Sequence, residues 1–137
     1  MDANLDISRL QELFKPIFPG LIGLELLEVD GKTVRGRLKV RQQLCTGRDT
    51  LHWGVMVGMA QTLGTVAAVL NLPEGGATRT VNTLTDFHAD PPRGTMVYAT
   101  CRYEREYEGD IICRTEIHDD EGQLYAKVTQ RQVAVTD

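Results

Sequence analysis

Between Leu44 and Leu70 the chain reads LCTGRDTLHWGVMVGMAQTLGTVAAVL, and its few polar residues are spaced as a site would space them. Thr46, Gly47, Arg48 and Asp49 are turn residues, and Asp49 or Thr50 is expected to cap a helix by accepting from a free backbone N–H. His52, Trp53 and Gly54 then fall in the first helical turn, where unpaired N–H groups and the positive end of the dipole gather. Such an end holds an anion, or a carbonyl oxygen that is gaining negative charge. Further in, Gln61 and Thr65 stand four apart and share one helical face. They either serve a ligand on that face or simply satisfy nearby backbone. The other histidines are His88, in a loop with Arg93, and His118, beside the Asp119-Asp120 turn and read as a solvated surface residue.

The elements that position these residues follow from periodicity. The run after Gly54 is apolar on almost every side, which marks a buried helix that the rest of a small chain wraps around. Ser8 to Gln11 reads as a capping box, with Leu10, Leu13, Phe14 and Ile17 at helical spacing and Pro16 and Pro19-Gly20 as the stop. Ile22, Leu24 and Leu26 alternate with polar or small residues, and Asp30-Gly31 signals a hairpin. Val34, Gly36, Leu38 and Val40 then alternate with Arg35, Arg37, Lys39 and Arg41. That basic stripe is either a phosphate site or a solvated strand face that discourages edge aggregation. After the loop from Asn71 to Gly76, strands are predicted over Thr78–Phe87, Met96–Tyr107, Asp110–His118 and Gln123–Val135. Pro91-Pro92 breaks the first from the second.

Helix, two strands, long helix and four strands point to an α+β fold, an antiparallel sheet curled over the central helix. At 137 residues, and with no linker or repeat, the chain reads as one domain, 1–19 a helical lid and 20–137 the core. The net charge of −4 argues against a nucleic-acid partner, which wants a basic footprint. No apolar run approaches the roughly 20 residues that span a bilayer, and MDANLDISRL lacks a signal-peptide pattern, so no membrane and a cytoplasmic location are expected. Cys45, Cys101 and Cys113 lack metal spacing and read as free thiols; Cys101 and Cys113 are placed to face each other across the EYEG turn. Cys45 precedes the helix entry, but no base neighbours it in sequence.

The helix and its entry resemble the hotdog-fold acyl-CoA thioesterases of the phenylacetate-degradation (PaaI) and 4-hydroxybenzoyl-CoA type. That family reads roughly N/Q-x-x-G-x-x-H-G-G-x-x-x-x-L-A-D/E-x-x-G/A-S/T-x-A. Here Thr46, Asp49, His52, Trp53, Gly54, Met59, Ala60, Gln61, Gly64, Thr65 and Ala67 stand in that run. VNTLTDFHADPPRG resembles the family's strand ending in F-L-R-P-x-x-x-G, and the final hairpin turning at DDEG also fits. The resemblance covers the chain from about Gly20 onward. It implies a hotdog fold and a dimer or tetramer with the substrate tunnel at a subunit interface; no cofactor is expected, and the sequence offers no metal constellation.

The departures fall on the chemistry. Gln61 stands where the family has the Asp or Glu that acts as nucleophile or general base, and an amide neither takes a proton near neutral pH nor attacks. Trp53 replaces the glycine whose N–H holds the thioester oxygen; Trp53 or Gly54 is the expected donor, and the indole is bulky enough to fill the slot. Acyl-CoA hydrolysis is the first expectation, with Gln61 placing a water and Asp49, then His88 or His52, taking the proton. The resemblance gives His52 a role in orienting the loop, and a fluoroacetyl-CoA-type branch has a His near His88. Arg93 resembles a position that holds CoA phosphates. The second expectation is an acyl-CoA or lipid binder that does not turn over. A hotdog hydratase using His52 or His88 with Asp49 comes last.

Overall fold

In the computed structural model, residues 6–73, 75–107 and 109–135 are described. Two short helices come first, α1 (Ile7–Phe14) and α2 (Phe18–Leu21). Strands β1 (Glu25–Val29) and β2 (Thr33–Lys39) lead through a 3-10 turn at Gln42–Leu44 into α3 (Trp53–Leu70). Strands β3 (Thr78–Phe87), β4 (Met96–Tyr107), β5 (Asp110–His118) and β6 (Leu124–Ala134) complete the chain. They form one antiparallel sheet in the order β1-β2-β4-β5-β6-β3. This is the hotdog architecture, with α3 packed on one sheet face.

Strand alternation produces that packing directly. Val34, Gly36 and Leu38 of β2, Val97, Ala99 and Cys101 of β4, and Ile111, Cys113 and Ile117 of β5 point inward and are buried. They meet Met56, Met59, Ala60, Leu63 and Ala67 of α3 in a single core. At 18 residues and a mean hydropathy of 1.5, α3 is long and apolar enough to cross a bilayer by length and composition, contrary to the sequence reading. Its burial against the sheet accounts for that apolarity. It is not buried all round, however: Gly54, Gln61 and Trp53 are exposed, and Val57, Gly58, Thr62 and Thr65 are half-buried. One open stripe therefore runs along the helix.

Several local readings change. The α1 cap is Asp6, whose carboxylate accepts from the Arg9 N–H at 2.8 Å, not Ser8. Gln11, freed from the expected capping box, donates to the Leu24 carbonyl and accepts from the Leu26 N–H. It thereby occupies backbone groups that an edge strand leaves open. Pro19-Gly20 does not merely stop a helix but lies inside α2, proline being suited to a helix start. The basic stripe belongs to an interior strand, since β2 pairs with both β1 and β4; Arg37 meets Glu25 at 3.0 Å and Arg35 lies 3.9 Å from Glu28. Its Arg and Lys residues therefore guard no sheet edge.

Cys101 and Cys113 are buried as free thiols but sit diagonally, Cys101 opposite Thr115 and Cys113 opposite Tyr103. The neighbouring Cys101 thiol and burial push the Cys113 thiol far above its ordinary value. Of the EYEG turn itself, Glu108 lies outside the described residues, as do Met1–Leu5 of the N-terminal stretch and Glu74 of the loop after α3. The last hairpin turns as expected, Asp119 accepting from the N–H groups of Glu121 and Gln123 at 2.8 Å. His118 is not a solvated surface residue. Half-buried, it lies 3.0 Å from the Thr100 hydroxyl and 2.8 Å from the Asp119 carbonyl, and stacks on Tyr98.

Candidate functional site

The entry to α3 is a loop stitched to a second loop. Thr46 and Thr50 share a hydroxyl contact of 3.1 Å, and Asp49 sits at a φ of 65°. The Leu51 N–H reaches the Pro91 carbonyl at 2.8 Å and the Arg93 N–H reaches the Asp49 carbonyl at 3.0 Å. The Asp49 carboxylate pairs with the Arg93 guanidinium at 3.2 Å. Both partners are about half exposed, so the pair fixes geometry more than it stabilises.

Neither Asp49 nor Thr50 caps the helix. His52 does, its Nδ1 accepting from the Gly54 N–H at 2.8 Å. An accepting Nδ1 places the ring proton on Nε2. The Gly54 N–H is therefore engaged, and Trp53 offers the remaining backbone N–H at the positive end of the helix. The Trp53 indole does not fill the slot beside the helix: its N–H donates to the Asp90 carboxylate at 3.0 Å, which draws the ring across to the β3–β4 connection. Asp90 was missed by sequence reasoning because its partner lies 37 residues away.

The open stripe of α3 borders a cavity of about 480 Å³. Gly54, Gly58, Gln61 and Thr65 form its helical wall, and Phe14, Ile17, Phe18 and Pro19 form the opposite one. The fold thus brings Gln61 and Thr65 together, as their four-residue spacing predicted, and adds Gly54 to the same wall. His52 lines a neighbouring cavity of about 330 Å³ with Cys45, whose thiol donates to the Arg41 carbonyl at 3.4 Å. Asp49 and Arg93 lie at neither wall, and His88 is exposed beyond the end of β3, its N–H on the Tyr125 carbonyl at 2.8 Å. Among the described residues, no titratable side chain lines the larger cavity.

Beneath the stripe lies a buried polar network. Gln130 and Gln132 of β6 are 1% and 0% exposed, so their amides must find partners inside. The Gln132 amide donates to the Gly64 carbonyl at 3.0 Å and accepts from the Thr78 hydroxyl at 2.6 Å. The Gln130 amide donates to the Thr80 hydroxyl at 2.9 Å and to the Gln61 carbonyl at 3.4 Å, while its oxygen has no partner among the described residues. That oxygen sits against Gly64, where an added Cβ would lie 2.0 Å from it. The glutamines tie the backbone under Gln61 to β6 and the outermost strand β3. The signal was present in the sequence: both fall in the inward register of β6 with Ala126 and Val128.

No protein-family model and no curated protein sequence matches the chain. Solved structures do. A thioesterase from Haemophilus influenzae superposes with a TM-score of 0.90 at 18% identity, over 97% of this chain and 92% of that one. The E. coli PaaI protein from the phenylacetic acid degradation operon gives 0.78 at 18% identity, over 86% and 83%. A Streptococcus mutans protein bound to acetyl-CoA gives 0.77 at 10% identity, over 84% and 90%. The chain has the hotdog fold of these structures, a thioesterase and PaaI among them.

Proposed function

We propose that the protein hydrolyses an acyl-CoA thioester in the cavity beside α3. The observation that carries this reading is the placing of Gln61 and Thr65 on an apolar cavity whose lining reaches Gly54 in the first turn of α3. It is supported by the likeness in fold to a thioesterase and to a protein solved with acetyl-CoA. In this reading the Trp53 N–H and the helix dipole meet the thioester oxygen, a contribution of about 3 kcal/mol for a well-aimed donor. Gln61 holds a water against the carbonyl carbon. The C–O bond forms, the C–S bond breaks, and the water's proton goes to a base that Gln61 cannot be.

The base must come from outside the cavity lining. Strand β3 is an edge strand whose Val81, Leu84 and Phe87 are exposed, and a second copy paired along it would extend the sheet. In such a pairing we take His88 and Asp49 of a second copy as the candidate bases, and Arg93 as the contact for the CoA phosphates. We therefore read the working form as a homo-oligomer. That no titratable residue lines the cavity among the described residues favours one further reading, an acyl-CoA binder without turnover.

Thiol release from short, long and aromatic acyl-CoAs separates these readings. Turnover by the wild type that Asp49→Ala or His88→Ala abolishes, without unfolding, assigns the base. Activity gained only in Gln61→Glu identifies a binder. Neither turnover nor thermal stabilisation by any acyl-CoA overturns both.

A further inference from the structure

We propose that Phe18 is the partition that sets the length of acyl chain this protein accepts, an inference that rests on the cavity beside α3 being the acyl site. Phe18 is a wall of three cavities at once. The first, of about 480 Å³, holds Gln61. The second, of about 330 Å³, holds His52 and Cys45. The third, of about 450 Å³, lies under Lys15 and Leu21. Among the described residues Phe18 is the one common to all three linings, although Ile17 also borders the first and third and Leu21 the second and third.

The ring is held by geometry rather than by chance packing. It rests on Gly58 of α3, where a Cβ would lie 2.6 Å from one ring-edge carbon and 2.9 Å from another. Glycine at position 58 is what lets the ring approach the helix backbone. The backbone beneath the ring is tied in turn. The Arg41 guanidinium donates to the Leu21 carbonyl at 2.7 Å, and the Leu24 N–H donates to the Pro19 carbonyl at 3.0 Å. At Gly20 an added Cβ would come within 2.3 Å of the Phe14 carbonyl oxygen, so α1 and α2 meet at a corner with no slack. The ring therefore stands on an anchored support, 48% exposed, with apolar walls of Phe14, Ile17 and Val57 around the space it limits. Those walls suit an alkyl or aryl chain.

The test compares Phe18→Ala, Phe18→Leu, Gly58→Ala and the Phe18→Ala/Gly58→Ala double variant on straight-chain acyl-CoAs from acetyl to palmitoyl. Phe18→Ala is expected to move the preferred chain upward. On chains just beyond the wild-type optimum it should raise kcat/KM by about tenfold or more, since one methylene accommodated in an apolar pocket is worth about that factor. Phe18→Leu should fall between. Gly58→Ala displaces the ring and alters the length profile in the wild type, but leaves it unchanged in Phe18→Ala. Thermal stabilisation by free fatty acids of the same lengths reads the cavity without turnover. A fatty-acid cut-off that moves with Phe18→Ala while no acyl-CoA is hydrolysed keeps the partition and removes the thioesterase reading. An unchanged length profile in a folded, active Phe18→Ala overturns the partition and leaves that reading standing. No change in either profile, or no fatty acid and no ester bound by any variant, also overturns it.

Discussion

Gly64→Ala should unsettle the protein, although alanine is the better helix former. In an unobstructed helix the exchange gains up to about 1 kcal/mol. Here the new Cβ would lie 2.0 Å from the Gln130 amide oxygen and 2.8 Å from its Cδ, where ordinary contact starts at 3.4 Å. The amide must retreat by 3.4 − 2.0 = 1.4 Å, in a side chain that is 1% exposed. A shift of that size breaks its bonds to the Thr80 hydroxyl and the Gln61 carbonyl. Overpacking a core costs about 1–3 kcal/mol, and a buried polar group left unpaired costs about 1–3 kcal/mol. Set against the propensity gain of about 1 kcal/mol, the net loss is about 1–5 kcal/mol. For a chain of this size that lowers Tm by roughly 3–15 °C.

The assay is urea and thermal unfolding at one fixed protein concentration, since any oligomer makes the midpoint depend on it. Gln130→Ala removes the obstructing amide, so the double variant should be less destabilised than the sum of the singles, by about 1 kcal/mol or more. A Gly64→Ala protein with an unchanged or higher midpoint would refute the reasoning. Strict additivity in the cycle would refute it equally.

Three further outcomes follow from the same geometry. His52→Ala removes the acceptor of the Gly54 N–H and should cost about 1 kcal/mol in urea unfolding, with His52→Ser restoring most of it. Gln11→Leu leaves the Leu24 carbonyl and Leu26 N–H without their side-chain partner. It should cost about 1–2 kcal/mol and speed hydrogen exchange at the Leu26 amide; unchanged exchange there would count against the edge role. Asp30 accepts from the N–H groups of Lys32 and Thr33, which holds its carboxylate below the ordinary 3.8. A depressed folded-state pKa contributes stability above the unfolded value and loses it as pH falls through the folded one. The wild type's advantage over Asp30→Ala at neutral pH should therefore shrink below pH 3.8, and an advantage that grows on acidification would be the wrong sign.

The sequence by itself determined the elements and their order, except for the short α2, which was read only as the stop of the first helix. The bounds of β3, β4 and β5 agree with the predicted strands, and β6 differs by one residue at each end. Alternation of period two and turn chemistry are local properties, and a strand carries them in its own residues. The grouping of Gln61 with Thr65 was legible for the same reason, since four-residue spacing fixes a shared helical face. Tertiary structure decided who their neighbours are. Asp49, read as a cap, turned to Arg93; His52 took the cap; the Trp53 indole left the slot for Asp90. Gln130 reached the Gln61 carbonyl across 69 residues of chain. Those pairings depend on a sheet order, β1-β2-β4-β5-β6-β3, that brings distant strands together and that no local pattern encodes. Helical spacing placed Gln61 on a face; the packing of α1 and α2 opposite made that face a cavity.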